Sequence, residues 1–455
     1  MKRRDFLKTT GVLAGTGLVG LDVARGAHAA GDDLIKVALV GCGGRGRGAL
    51  QDRLTAGDNM KLVAIADVFE ENARSAAEAF NAMGEDEANK GKIDFGDNVF
   101  SGFDAYKKAI DLCDQALIVT TPAFRPIHYA YAVEKGKHVF MEKPCCVDAR
   151  GYRMAMEANK KADEKGLVVV VGFQRHYELP YMQWVDKIKE GLIGDVMYSR
   201  VYWNGDGIWE RPRQNGDTEM KYQMRNWYHF VWLCGDGICE QHCHNIDVAN
   251  WIHSKGDPKG PNAHPVKVNA MGGRQVRAFP RFKDSGYRYD HYTAEYTFAD
   301  GSQMFSQCRH QANTWSPVTE FVYGTKGMGS RGWLNDRAGN SVWKFDDAEK
   351  FTGPYQYEHH CQVKYIREGI AHNDGWFAAN SSFTSAFARM AAMSGKELTW
   401  DEAVAKGHDE FPYDQVLSWE TDPPVMPDTV MPAQPKEGEF IYENSVPLPG
   451  IWTWD

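Results

Sequence analysis

Short apolar runs alternate with amphipathic stretches through the first third of the chain, and after that the rhythm changes. Residues 35–40 (IKVALV), 61–66, 116–120, 138–141 and 167–172 read as buried strands. Between them, 49–54, 125–135 and 149–164 carry helical spacing. Strand and helix in turn predict a parallel α/β sheet. Beyond 195 come longer alternating strands at 195–204, 266–271, 292–298, 302–310 and 318–323. That pattern predicts an open, largely antiparallel sheet with one covered face. Helices return at 358–369 and 382–394, and from Thr421 the chain is proline-rich. The expected division is a nucleotide-binding domain over 34–155, an α/β domain over 156–420 and a tail over 421–455. A length of 455 residues, 43% hydrophobic and 25% charged, suits two globular domains.

The turn after the first strand narrows the chemistry. Gly41, Gly43 and Gly46 stand in G-x-G-x-x-G spacing, with Gly44 and Arg45 between them. Such glycines permit a tight turn, close approach of backbone to a pyrophosphate, and close helix–strand packing. The following helix N-terminus offers free N–H groups to the phosphates. Asp67 ends the second strand 21 residues beyond Gly46, where an acid would hold a ribose 2′-hydroxyl. The pattern predicts a dinucleotide site, for NAD rather than NADP.

The N-terminus reads as an export signal. MKRRDFLKTT precedes a soft apolar run over 11–20 and the small-residue pattern Ala27-His28-Ala29. The pair Arg3-Arg4 resembles a twin-arginine leader, which predicts a periplasmic protein exported folded by that machinery. The run is too short for a membrane anchor. Removing residues 1–29, with five Lys/Arg and two Asp, takes the formal net charge from −9 to −12. That balance argues against nucleic-acid partners. The nine cysteines show no C-x-x-C pair and read mostly as small buried apolar residues. Outside the cytoplasm there is no free nicotinamide pool, so the expected cofactor is a tightly held NAD, loaded before export.

Three later motifs complete the set. Thr120 runs into Thr121-Pro122, with His128 six residues on; Met-Glu-Lys-Pro occupies 141–144; Gly172-Phe-Gln-Arg-His-Tyr ends at Tyr177. In this order they resemble the glucose–fructose oxidoreductase/inositol dehydrogenase (Gfo/Idh/MocA) family of NAD(P)-dependent sugar enzymes, over roughly residues 34–410. The resemblance implies a Rossmann domain followed by an α/β domain whose open sheet builds a homo-oligomer. It implies cofactor contacts from Gly41, Gly43, Gly44, Arg45, Gly46, Asp67, Thr120, Thr121, Pro122, His128, Glu142 and Lys143. Lys143 would lie beside the nicotinamide and polarise the substrate hydroxyl, provided burial keeps its pKa in working range. His244 takes the place of the catalytic histidine, and Glu240 that of the usual aspartate. Four apart on one helix, Glu240 would hold the imidazole tautomer while His244 accepts the hydroxyl proton.

The same segment also admits a metal reading. In extended conformation Glu240, His242 and His244 would converge on one side as ligands. The helical aspect of the following residues favours the first reading. Substrate contacts are expected from Arg175, His176, Tyr177, Trp203, Trp227 and Arg309, since Trp rings pack on sugar faces and arginines fix hydroxyls. Trp209, Arg211, Arg213, Arg225 and His229 in the loop beyond Trp203 are further candidates. The expected function is hydride transfer between a sugar or glycoside carbon, C3 being one position that fits, and nicotinamide. Two alternatives stand beside it: a glycoside hydrolase using transient oxidation and elimination, and a non-catalytic sugar-binding protein.

Overall fold

The computed structural model describes residues 33–57, 59–276, 286–346 and 353–427. The expected leader over 1–29 and most of the expected tail lie outside them.

Six parallel strands form the first sheet: β1 (Ile35–Val40), β2 (Met60–Asp67), β3 (Val99–Ser101), β4 (Gln115–Ile118), β5 (His138–Met141) and β6 (Val169–Val171). Their order is β3-β2-β1-β4-β5-β6. This is the doubly wound dinucleotide-binding arrangement, with its crevice where the order reverses, between β1 and β4. Helices α1 (Gly44–Leu54), α2 (Glu70–Gly84), α3 (Ala105–Asp111), α4 (Arg125–Glu134) and α5 (Ala149–Glu164) make the crossovers. Strands β4 and β5 are buried at every position, as a sheet covered on both faces requires. The sheet continues past residue 155: α5 carries the chain back to place β6 beside β5.

The second sheet has nine strands. They are β7 (Val196–Gly205), β8 (Lys267–Gly273), β9 (His291–Thr297), β10 (Gln303–His310), β11 (Val318–Gly324), β12 (Gly327–Ser330), β13 (Trp333–Asp336), β14 (Ser341–Lys344) and β15 (Leu398–Thr399). The order is β14-β13-β12-β11-β7-β10-β9-β8-β15. All neighbours are antiparallel except β7 and β10. Buried and open positions alternate along β9 and β10, so one face is covered and the other is not.

Eight further α-helices complete the described chain before its C-terminal segment. Helix α6 (Leu179–Lys189) leads into β7; α7 (Glu219–Arg225), α8 (Val231–Cys234), α9 (Gly237–Glu240) and α10 (Cys243–His253) follow it. Helices α11 (Pro354–Glu368) and α12 (Gly375–Ser394) come after β14. Helix α13 (Trp400–Lys406) follows β15. Helix α12 is buried along nearly its whole length. It packs on α10, α5 and β8, cementing the two sheets into one core.

Candidate active site

The nucleotide end of the site follows from three glycines with three different surroundings. Gly41 has φ of 100°, a left-handed backbone that favours glycine, and a Cβ there would run into Val119. On Gly46 a Cβ would overlap the Gly41 carbonyl, so helix and turn could not close. A Cβ on Gly43 would meet nothing within 4 Å. Packing therefore explains Gly41 and Gly46, whereas Gly43 faces open space, as a pyrophosphate cradle would need. Helix α1 begins there with no side-chain cap and no acid in its first turn, which leaves N–H groups for an anion.

Asp67 sits at the end of β2 and is 8% exposed. Its carboxylate accepts hydrogen bonds from Cys42 N (2.7 Å), Phe69 N (2.9 Å) and Asn72 Nδ2 (3.3 Å). Burial raises its pKa, and those three donors oppose the rise. Thr120 Oγ1 lies 3.1 Å from His128 Nδ1. Desolvation, reinforced by Arg125, lowers the His128 pKa to about 3, so the ring is neutral. Arg125 donates to Thr120 O and Pro144 O, both at 2.8 Å, and so ties the loop after β4 to the loop after β5.

One cleft of about 1160 Å³ joins these parts. It runs from Gly41–Gly46, Asp67, Thr120, Thr121 and His128 to Glu142, Lys143, Glu240 and His244. Ligand pockets of about 300–1,000 Å³ hold single drug-sized molecules; this one has room for a dinucleotide and a small second molecule. Pro122 is buried but stands outside the wall.

At the far end, Lys143 Nζ donates to the Glu240 backbone oxygen (2.5 Å) and to Glu240 Oε1 (3.2 Å). Burial acts to lower the lysine pKa, but the charge of Glu240, with Glu142 behind it, outweighs burial and the net shift is upward. The ammonium is therefore held charged, against the expectation that burial would bring it into working range. For His244, desolvation, Lys143, Arg175 and Arg45 all act downward, and its pKa lies well below the usual histidine value. Glu240 does not hold its imidazole: His244 Nδ1 has no hydrogen-bond partner. Helix α9 ends at Glu240 and α10 begins at Cys243, so acid and histidine do not share one helix. Aromatic rings hold His244 instead. Trp203 stacks on it at 5.8 Å and 23°, and Phe173 meets it edge-on at 5.8 Å.

The metal arrangement does not form. His242 points to Ser306, with Nε2 2.7 Å from its Oγ, and burial lowers its pKa to about 3. No group of three or more His, Cys, Asp and Glu side chains is placed to hold a metal among the described residues.

Of the expected substrate residues, Trp227 lines the cleft, together with Trp209, Arg211 and Arg225. The others are engaged elsewhere. Arg175 forms a buried ion pair with Glu320. His176 Nε2 meets Asp247 at 2.7 Å and stacks on Trp251. Tyr177 donates to Asp374 at 2.6 Å. Arg309 bonds to Trp315 O on the second sheet. Trp203 stacks behind His244 rather than lining the cleft. Gln174, one position from Arg175, does line it. The strand alternation could not settle which of 174–177 turned inward, because a 3-10 turn follows β6.

Tyr355 and Glu358, from α11, were not foreseen. Arg45 bonds to Glu142 Oε1 (2.5 Å) and Glu358 Oε1 (3.4 Å), and its guanidinium lies 4.8 Å from the Tyr355 ring centroid. Glu358 is fully buried, and burial followed by Glu142 pushes its pKa well above the carboxylate range. Arg45 thus bridges the glycine turn to the catalytic end.

Comparison with known proteins agrees with this geometry. Residues 35–173 match the oxidoreductase family with an NAD-binding Rossmann fold, Gfo/Idh/MocA. Inositol 2-dehydrogenase of Klebsiella pneumoniae (strain 342) is 26% identical over 221 residues, 48% of this chain and 54% of that protein. That of Burkholderia vietnamiensis is 27% identical over 237 residues, 51% of this chain and 59% of that protein. The match thus spans little more than half the length of these relatives. Among solved structures, scyllo-inositol dehydrogenase from Lactobacillus casei with NAD(H) and scyllo-inositol aligns with a TM-score of 0.57 at 19% identity, covering 82% of this chain and 100% of that one. Aldose-aldose oxidoreductase from Caulobacter crescentus aligns at 0.58 and 17%, covering 80% and 99%. At that identity the structures share the fold. By the family match, the glycine turn and the sheet order, residues 35–173 resemble the NAD-binding Rossmann domain of the Gfo/Idh/MocA oxidoreductase family.

Proposed function

We propose that this protein is an NAD-dependent oxidoreductase of a CH–OH group in a cyclitol, sugar or glycoside. The observation that carries the reading is the single cleft with an open glycine turn at one end and Lys143, Glu240 and His244 at the other. The names of the relatives, inositol dehydrogenases among them, support the substrate class. Bound NAD would supply the acceptor for a hydride leaving the substrate carbon. The neutral His244 accepts the hydroxyl proton as the carbonyl forms, and the Lys143 ammonium stabilises the negative charge that develops on that oxygen. Glu240 keeps Lys143 charged and aimed. Trp209 and Trp227 offer apolar ring faces to a sugar.

The leader motif supports a periplasmic protein that takes up its dinucleotide before twin-arginine export and does not exchange it. The open face of the second sheet supports self-association. Met271 and Trp315 are 72% and 63% exposed there, and Tyr198 stacks on Tyr323 at 4.4 Å. The test is to denature the mature protein and identify any released nucleotide. The intact protein is then followed at 340 nm with a panel of inositols and glycosides. One equivalent of NAD, with absorbance rising on one sugar and falling on another, is the expected result. Net glycoside cleavage with no lasting change at 340 nm would move the reading to a hydrolase. A protein that neither contains nor binds NAD would sink it.

A further inference from the structure

The adenosine half of a dinucleotide in this fold lies between the loops that follow β2 and β4. Here those loops present Phe69 and Phe124, and Phe103 follows β3 beside them; all three line the cleft. Residues 409–425, near the end of the described chain, touch both sides. Phe411 packs edge-on against Phe124 at 4.8 Å. Trp419 lies 5.0 Å from Phe69 and 5.0 Å from Phe103. The segment therefore crosses from the β4 loop to the β2 and β3 loops.

Both ends of this crossing are fastened. At the first, the buried Asp148, which caps α5, accepts from Glu410 N (3.0 Å), Phe411 N (3.1 Å) and Tyr413 Oη (2.8 Å). Arg389 pairs with Glu410, and Arg150 reaches Asp414 at 2.6 Å. At the second, Gln223 of α7 donates to Val425 O at 2.6 Å while accepting from Trp232 Nε1 at 2.7 Å. A segment that served only to fill the surface would not need fastening to α5, α12 and α7 at once. Between the anchors Val416 is 91% exposed, while Leu417 and Trp419 beside it pack against the core.

We infer that residues 409–425 form a strap against the adenosine end of the cleft wall, where Trp419 braces the lining residues Phe69 and Phe103 and so retains bound NAD. The inference rests on the dinucleotide reading above. It assigns to the chain itself the means of keeping a cofactor that cannot be replaced outside the cytoplasm. The strap acts on release: a dinucleotide leaving by that end must wait for Phe69 and Phe103 to part, and Trp419 holds both.

The test uses full-length mature protein loaded with NADH. Release is followed by loss of nucleotide fluorescence on mixing with excess NAD, for wild type, Trp419→Ala and Asp414→Ala. The strap predicts release about tenfold faster or more in Trp419→Ala, two ring contacts being lost, and a smaller acceleration in Asp414→Ala. Association should not slow in either. Asp414 lies on the surface at the outer anchor, so its variant decides the matter should Trp419→Ala fail to fold. Unchanged release from variants that melt like wild type would overturn the strap while leaving the dinucleotide reading intact. Wild type that binds no NADH at all would overturn both.

Discussion

Gly43 and Gly46 should respond to the same substitution in opposite ways. An alanine at 43 has φ of −67° and ψ of −177° to adopt, a conformation open to any residue, and its methyl meets nothing within 4 Å. Folding stability should hold or rise by up to about 1 kcal/mol, through the less flexible unfolded chain. The methyl would instead occupy the space through which the pyrophosphate approaches the α1 amides. Hydrogen bonds to a charged group contribute about 1.5–3 kcal/mol each, so losing one or two weakens NAD binding by about 3 kcal/mol, a hundredfold or more. Gly46→Ala drives its Cβ into the Gly41 carbonyl, and backbone has no rotamer to relax into. It should lose about 3 kcal/mol of stability or more. Thermal melting and calorimetric titration with NAD separate the two effects. A Gly43→Ala protein that binds NAD like wild type would refute the placement of the pyrophosphate.

Three further outcomes follow. Lys143→Met leaves the Glu240 carboxylate buried and unpaired, so stability should fall by about 3–5 kcal/mol and kcat/KM by about 10²–10⁴. Adding Glu240→Gln should restore the melting temperature without restoring turnover, and near-normal activity in the single variant would end the assignment. His253 is held between Ser199 (3.0 Å) and Ser302 (2.8 Å), and burial lowers its pKa to about 3. Its unfolded counterpart takes up a proton near 6.5, so its contribution is complete above that pH and is lost as pH falls toward 3. Between pH 7 and 5 the loss is about 2 kcal/mol. His253→Gln should shrink the drop in urea stability over that range by the same amount, and an unchanged drop would contradict the buried neutral ring. On the open sheet face, Phe305→Glu with Tyr323→Glu should lower the mass seen by light scattering, whereas an unaltered mass would place the subunit contact elsewhere.

The strands were legible where burial is one-sided or complete. The runs at 35–40 and 138–141 match β1 and β5, and alternation located β7 to β11 to within two residues. The short strands β12 to β14 carry few apolar residues, and glycine at 327 and 329 weakens their pattern. The site was legible where chemistry is local to a motif: the glycine turn, Asp67, and the Glu142-Lys143 pair all line one cleft. It was obscure where partners come from far along the chain. Tyr355 and Glu358 stand about 210 residues beyond Lys143, and only the packing of α11 against α1 brings them to Arg45. Spacing misled at 240–244 because a four-residue interval implies one helical face only if the helix is continuous. The chain breaks it at Gln241 and His242, and Glu240 turns to Lys143 instead.

That break sorts the charges for the proposed chemistry. With an acid holding its imidazole, His244 would be the stronger base but would be drawn toward the protonated form before the reaction began. Here the acid's charge falls on Lys143, and His244 is left between Trp203 and Phe173 with no anion bonded to it. Burial and the neighbouring Lys143, Arg175 and Arg45 then keep it neutral. The carboxylate holds the lysine charged, while burial first, and the charges of Lys143, Arg175 and Arg45 after it, leave the histidine uncharged. A proton acceptor and a cation side by side in a buried cleft are the pair that alcohol oxidation asks for, since the hydroxyl must lose a proton while its oxygen becomes more negative. Glutamate in place of aspartate suits this arrangement, because its longer side chain lets one residue present both a backbone oxygen and a carboxylate oxygen to the same ammonium group.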